Sequence, residues 1–207
     1  MSGSMFAIGR AELNDIVVSV IAISIAFTLA RVGGIFFLAQ GGAVPFDLLS
    51  LLFAISVFTV GIGFVLHELA HRSMAIRYGC RAAYVAWPVG LQLALITSLF
   101  GFVFAAPGAT YIYAPYLTRR ENGMISLVGP LTNVALAFVF LLSSPFLLLL
   151  LPGLAGQLLV SQGVFINLWL ALFNMLPFGP LDGKKVMAWN PGTWLVLTAG
   201  IFVLLFL

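Results

Sequence analysis

The residues best able to do chemistry in this chain lie in Leu66-His67-Glu68-Leu69-Ala70-His71, an H-E-x-x-H pattern set in an apolar run. His67 and His71 are the only two histidines in 207 residues. On a helix, residues four apart leave from nearly the same face, so both imidazoles point one way. Two neutral imidazoles on one rigid rod are a ready pair of zinc ligands. Glu68 lies between them, too close in sequence to be an easy third ligand but placed to serve a metal-bound water as general base. The competing reading is a chance pattern of two core or capping histidines. With so few histidines and glutamates in the chain, coincidence is the weaker explanation.

Two histidines do not complete a catalytic zinc, which usually takes three protein ligands and keeps one position open. No third histidine exists, and a single cysteine, Cys80, leaves no sulfur-rich site. The search therefore passes to the acids. Asp47 stands about 30 Å from His67 along a helix and cannot reach it. Glu12 and Asp15 belong to the amino-terminal region. Glu121 follows Arg119-Arg120 and suits ion pairing with them or capping of the next helix. Asp182 remains, in Asn174-Met175-Leu176-Pro177-Phe178-Gly179-Pro180-Leu181-Asp182-Gly183. Prolines and glycines break an apolar helix there, and an acid at such a break is a functional candidate. The alternative is an aspartate that serves a tight Leu-Asp-Gly turn or caps the segment from Gly183 onward. Asn174 is a candidate donor to a substrate carbonyl or developing oxyanion, or else a helix–helix hydrogen bond. Asn133, in Gly129-Pro130-Leu131-Thr132-Asn133, has the same two readings, with packing favoured.

The elements that must position these groups are apolar. Hydrophobic residues make up 62% of the chain and charged residues 7%, with mean hydropathy +1.17. A soluble domain carries roughly 25% charged residues. The chain is therefore expected to be an all-α polytopic membrane protein, a single integral membrane domain over residues 1–207, with residues 1–4 resembling a tag remnant. No cleavable signal peptide is expected, and the apolar end leaves room for the natural chain to continue. The net charge of +3 comes from few, scattered basic residues, which excludes a nucleic-acid stripe. Nothing in the sequence sets an oligomeric state.

Spans are expected at about residues 16–38, 47–74, 124–151 and 158–176, with a short one at 193–207, giving about five to six transmembrane helices. Arg31 falls inside the first and is read as snorkelling. Residues 82–117 are apolar but broken by Pro88, Gly90, Gly101 and Pro107, so strands or a re-entrant segment compete with a full span. Charge decides between them. If this stretch does not cross, Arg10, Arg72, Arg77, Arg81, Arg119, Arg120, Lys184 and Lys185 fall on one side, and loops 39–47 and 152–157 hold no basic residue. This asymmetry predicts a cytoplasmic amino terminus. It also lets Asp182 meet His67, since both then end spans that run toward the basic side.

His-Glu-Leu-Ala-His near the end of one span, with N-x-x-P-x-x-P-L-D-G at the end of a later one, resembles the site-2 protease family of intramembrane zinc metalloproteases. The G-P-x-x-N before the third span is also similar, and the resemblance covers roughly residues 47–190. It implies one zinc per chain held by His67, His71 and Asp182, with Glu68 activating water. It implies strands between the second and third spans. It also implies that the partner is a transmembrane substrate protein in the lipid bilayer, cut in or near its spanning helix. Two departures stand out: no PDZ or paired nucleotide-binding module is visible, and Lys184 stands where a second glycine is usual. The rival reading is a non-catalytic membrane protein that binds a metal ion or transmembrane segments. A further rival would use Glu121 as third ligand.

Overall fold

A computed structural model describes residues 8–104 and 107–206. It is mostly helical: α1 (Arg10–Arg31), α2 (Gly34–Ala39), α3 (Phe46–Ser56), α4 (Ile62–Arg77), α5 (Pro88–Ser98), α6 (Arg119–Leu142), α7 (Ser144–Leu150), α8 (Leu154–Asn174), α9 (Asp182–Trp189) and α10 (Pro191–Phe206). Strands β1 (Arg81–Ala86) and β2 (Gly108–Tyr113) pair as a two-stranded sheet. Helices α3 and α4 run on through a wider π turn, Val57–Gly61, so Phe46–Arg77 is one apolar helix of 32 residues.

Among the described residues, four helices are long and apolar enough to cross a membrane: Arg10–Arg31, Phe46–Arg77, Arg119–Leu142 and Leu154–Asn174. Helices α5 and α10 are apolar but shorter. With 11 residues, α5 is about 16 Å long, half of a hydrocarbon core of about 30 Å. The stretch between the second and third long helices is thus strand, short helix, strand.

The first long helix differs from its expected bounds. It begins at Arg10, because Glu12 and Asp15 find partners: Glu12 Oε1 accepts the Tyr84 N–H at 3.0 Å, and Asp15 Oδ2 accepts the Ala86 N–H at 3.1 Å. It ends at Arg31, because Gly33 and Gly34 take positive φ, 86° and 57°, a conformation glycine adopts without steric cost. Arg31 is therefore the last residue of the helix, not an interior charge. The third long helix likewise stops at Leu142, and Pro145 starts a separate short helix, α7.

Two compact units are distinguishable, residues 8–65 with 84–109, and residues 66–83 with 110–206. In the first, α1 packs on α3, on the π turn and on α5. Gly61 allows the close approach, since a Cβ there would stand 3.0 Å from Val20 Cγ1. Ser19 Oγ meets the Tyr84 hydroxyl at 2.8 Å. In the second unit, α6 packs on α8 and α9, and α10 on both of these. Leu127, Ala171, Met175, Val186 and Ile201 form its core. A second cluster joins Ala75, Cys80 and Ile125 to Ile112 of β2. Burial pushes the Cys80 thiol above its usual range, with the Glu121 carboxylate adding to this, so Cys80 is a protonated packing residue. Glu121 itself closes a capping box with Thr118 at the start of α6.

Candidate metal centre

All the groups described here belong to the unit of residues 66–83 and 110–206. Helix α4 presents His67 and His71 one turn apart, and their Nε2 atoms stand 2.9 Å from each other. Asp182 Oδ2 lies 3.3 Å from His67 Nε2 and 3.0 Å from His71 Nε2. The three residues are 4%, 7% and 7% exposed. Among the described residues they are the one group of three His, Cys, Asp or Glu able to share a metal ion.

The protons show what this triangle needs. His67 Nδ1 is 2.6 Å from Asn133 Oδ1, and His71 Nδ1 is 2.7 Å from the Ile125 carbonyl oxygen. Both partners are acceptors, so each neutral ring carries its proton on Nδ1 and turns a lone pair inward on Nε2. Two nitrogen lone pairs and a carboxylate oxygen then face one buried point. That arrangement is repulsive unless a cation sits there. Tetrahedral zinc with bonds of about 2.0–2.1 Å sets its ligands about 3.3 Å apart, close to the spacings observed. The donor set, two imidazoles and one carboxylate, also suits zinc. Zinc therefore fits as the cofactor, with one position left for water.

Helix α6 forms the wall behind the imidazoles. Ile125, Gly129 and Asn133 recur every four residues and share one face. Ile125 supplies its carbonyl and Asn133 its side chain. Gly129 supplies room, since a Cβ there would collide with both histidine rings. Pro130, inside α6, removes the helical donor to the Ser126 carbonyl and loosens the turn beside Ile125.

Asp182 is delivered by the break between α8 and α9. Gly179 turns the chain with φ 60°, and Asp182 is the first residue of α9. Gly183 allows α9 to start against the Met175 carbonyl, which a Cβ would strike. The Trp194 indole N–H donates to that same carbonyl at 2.7 Å and ties α10 to the break. The Asp182 carboxylate turns one oxygen to the two histidines. Lys185 Nζ stands 3.8 Å from its other oxygen.

Glu68 is fixed from β2. Its Oε2 accepts the Thr110 N–H at 2.9 Å and the Thr110 hydroxyl at 2.8 Å. The remaining oxygen, Oε1, is not part of this clamp. Asn174 stands apart, with its amide donating to the Leu170 carbonyl of its own helix at 3.0 Å. Asn133 makes the packing contact that sequence favours, donating to Asn167 across α6 and α8 at 3.0 Å, and its Oδ1 also faces the His67 imidazole. Thr110 and Asn167 are not singled out by the sequence, and Gly129 enters there only as part of the G-P-x-x-N motif; Asn167 donates to Gly163 and accepts from Asn133. Asn167 carries a signal of its own, a polar residue in the middle of an apolar span.

No family model matches the chain, and no solved structure matches it. Curated relatives do. The chain is 46% identical over 198 residues to "Putative zinc metalloprotease MJ0611" of Methanocaldococcus jannaschii, a match covering 94% of this chain and 92% of that protein. It is 30% identical over 155 residues to "Putative zinc metalloprotease YwhC" of Bacillus subtilis, covering 63% of this chain and 66% of that protein. It is 26% identical over 145 residues to "Putative zinc metalloprotease Rip2" of Mycobacterium tuberculosis, covering 61% of this chain and 53% of that protein. With motifs, apolar helices and a His-His-Asp group in agreement, the chain belongs to a site-2 protease-like family of membrane zinc metalloproteases.

Proposed function

We propose that this protein hydrolyses a peptide bond in or near a transmembrane segment of another membrane protein, as an H-E-x-x-H endopeptidase. The carrying observation is the buried convergence of His67 Nε2, His71 Nε2 and Asp182 Oδ2 on one point, with both histidines on a helix apolar and long enough to span. These three residues would hold the zinc. When bound, the metal supplies a water of lowered pKa and a polarised scissile carbonyl. Glu68 takes the water's proton and passes it to the leaving amine nitrogen. Thr110 keeps the Glu68 carboxylate in one orientation, which spares the reaction the cost of finding it.

A spanning helix hides its carbonyls in its own hydrogen bonds, so the substrate must unwind before attack. A strand of the two-stranded sheet can receive the extended segment by strand addition. Strand β2 is the favoured one, because its Thr110 also holds Glu68. The basic residues that flank the spans support an amino terminus and a site opening on the cytoplasmic side of a cell membrane.

The test is reconstitution in lipid vesicles with a single-span model substrate and mass-spectrometric mapping of the cut. Cleavage within the apolar segment or within a few residues of its end is expected. Cleavage confined to soluble loops, with the apolar segment always intact, would overturn the intramembrane reading.

A further inference from the structure

Two asparagines join α6 to α8 inside the apolar interior, and both Asn133 and Asn167 are 0% exposed. Burying an amide is costly unless every polar atom finds a partner. Simple adhesion between helices would account for one hydrogen bond between them. It does not account for the direction in which the bonds run.

The Asn167 Nδ2 group donates to the Gly163 carbonyl at 2.9 Å. A backbone carbonyl only accepts, so the amino end of Asn167 must face it and the oxygen end must face away. That oxygen accepts from Asn133 Nδ2 at 3.0 Å. Asn133 is thereby oriented in turn, with its Oδ1 toward His67 Nδ1 at 2.6 Å. An oxygen at that place demands a proton on Nδ1, which leaves the Nε2 lone pair for the metal.

The two imidazoles are held by different means. His71 faces the Ile125 carbonyl, which cannot turn round. His67 faces a side-chain amide, which can. Turned by half, the Asn133 amide would offer its amino group to His67 Nδ1. That would favour the Nε2–H tautomer, which has no lone pair toward the site. It would also set the Asn133 oxygen against the Asn167 oxygen, so Asn167 opposes the turn. Gly163 serves the same arrangement twice, by accepting from Asn167 and by leaving space for Phe140 of α6, whose ring a Cβ would strike.

We infer that Asn167 is a positioning residue: through Asn133 it fixes the ring tautomer of His67, and so the competence of His67 as a metal ligand. This rests on the metal reading of the site. Partners of ligating histidines typically change metal affinity by about 10–100-fold when removed, and a loss of this size is expected from Asn167→Leu. Asn167→Asp should restore affinity to within a few-fold of the parent protein. A neutral aspartic acid in these surroundings still donates its O–H to Gly163 and accepts from Asn133.

The experiment uses the full chain in detergent. Zinc affinity is read by chelator competition, and the two histidine rings by 15N NMR of the zinc-free protein, in which only two residues report. Wild type is expected to carry the Nδ1–H form at His67, and Asn167→Leu a mixture of tautomers with weaker zinc binding. Unchanged zinc affinity and tautomer in Asn167→Leu, even with lower thermal stability, would overturn the inference and leave helix adhesion. If Asn167→Leu does not fold, an Nε2–H tautomer at His67 in wild type overturns it, and so does a failure of Asn167→Asp to bind zinc. Absence of zinc binding by wild type with its Nδ1–H tautomer intact would instead defeat the metal reading on which the inference stands.

Discussion

Gly129 shows how tightly the site is drawn. In an ordinary helix, replacing glycine by alanine stabilises by about 1 kcal/mol. Here the added Cβ meets the rings of both histidines, and overpacking costs about 1–3 kcal/mol. Gly129→Ala should therefore displace the imidazoles and lose zinc, as read by metal analysis of the purified protein. Thr110→Val removes the hydroxyl that donates to Glu68 Oε2 but keeps the backbone donor. One net hydrogen bond is worth about 1 kcal/mol, so kcat/KM should fall by about 5–10-fold. Zinc content should stay unchanged, and Thr110→Ser should restore activity. At this scale the sequence is legible where spacing is local. His67, Glu68 and His71 come from helix periodicity. Asp182 comes from elimination among six acids and from the break that carries it. Thr110 is not legible, because it lies 42 residues from Glu68 and only the strand brings it there. Nor can type alone separate Asn167 from Asn174. They lie two turns apart on one helix, and each donates to the carbonyl four residues back; only the packing of α6 on α8 gives Asn167 its second partner, Asn133.

The elements are readable where local chemistry defines them. Thr118-x-x-Glu121 is a capping-box pattern, and it starts α6. The glycines and prolines between 82 and 117 break what hydropathy alone would make a span. The start of α1 is hidden, because Glu12 and Asp15 look like solvated charges until the N–H groups of β1 arrive to use them. The strands set the next expectation. A proline at Tyr111, in the middle of β2, removes a donor and breaks the pairing. Tyr111→Pro should reduce cleavage of a membrane substrate strongly while zinc binding by the proposed ligands on α4 and α9 persists. Normal cleavage by this variant would remove strand addition from the mechanism.

For the whole molecule, the proposed metal is expected to organise the site but not the fold. Backbone hydrogen bonds in spanning helices are internal, and the core of Leu127, Ala171, Met175, Val186 and Ile201 includes no metal ligand. Large apolar side chains such as Leu142, Leu149 and Val196 remain exposed, as suits contact with lipid. Chelation should therefore abolish cleavage reversibly while helix content, followed by circular dichroism, is unchanged. Acidification should act in the same direction. The imidazoles bind metal only when neutral, so protons compete with zinc and affinity should fall as the pH is lowered.

The most direct test of the central claim is to measure zinc content and cleavage of a membrane substrate on the same detergent-purified samples of wild type, Glu68→Gln and Asp182→Asn. One zinc per chain in wild type is expected. In Glu68→Gln zinc should be kept and cleavage lost by at least about a hundredfold, and in Asp182→Asn zinc should be weakened. Full zinc and full activity in Asp182→Asn, or undiminished cleavage by Glu68→Gln, would contradict it.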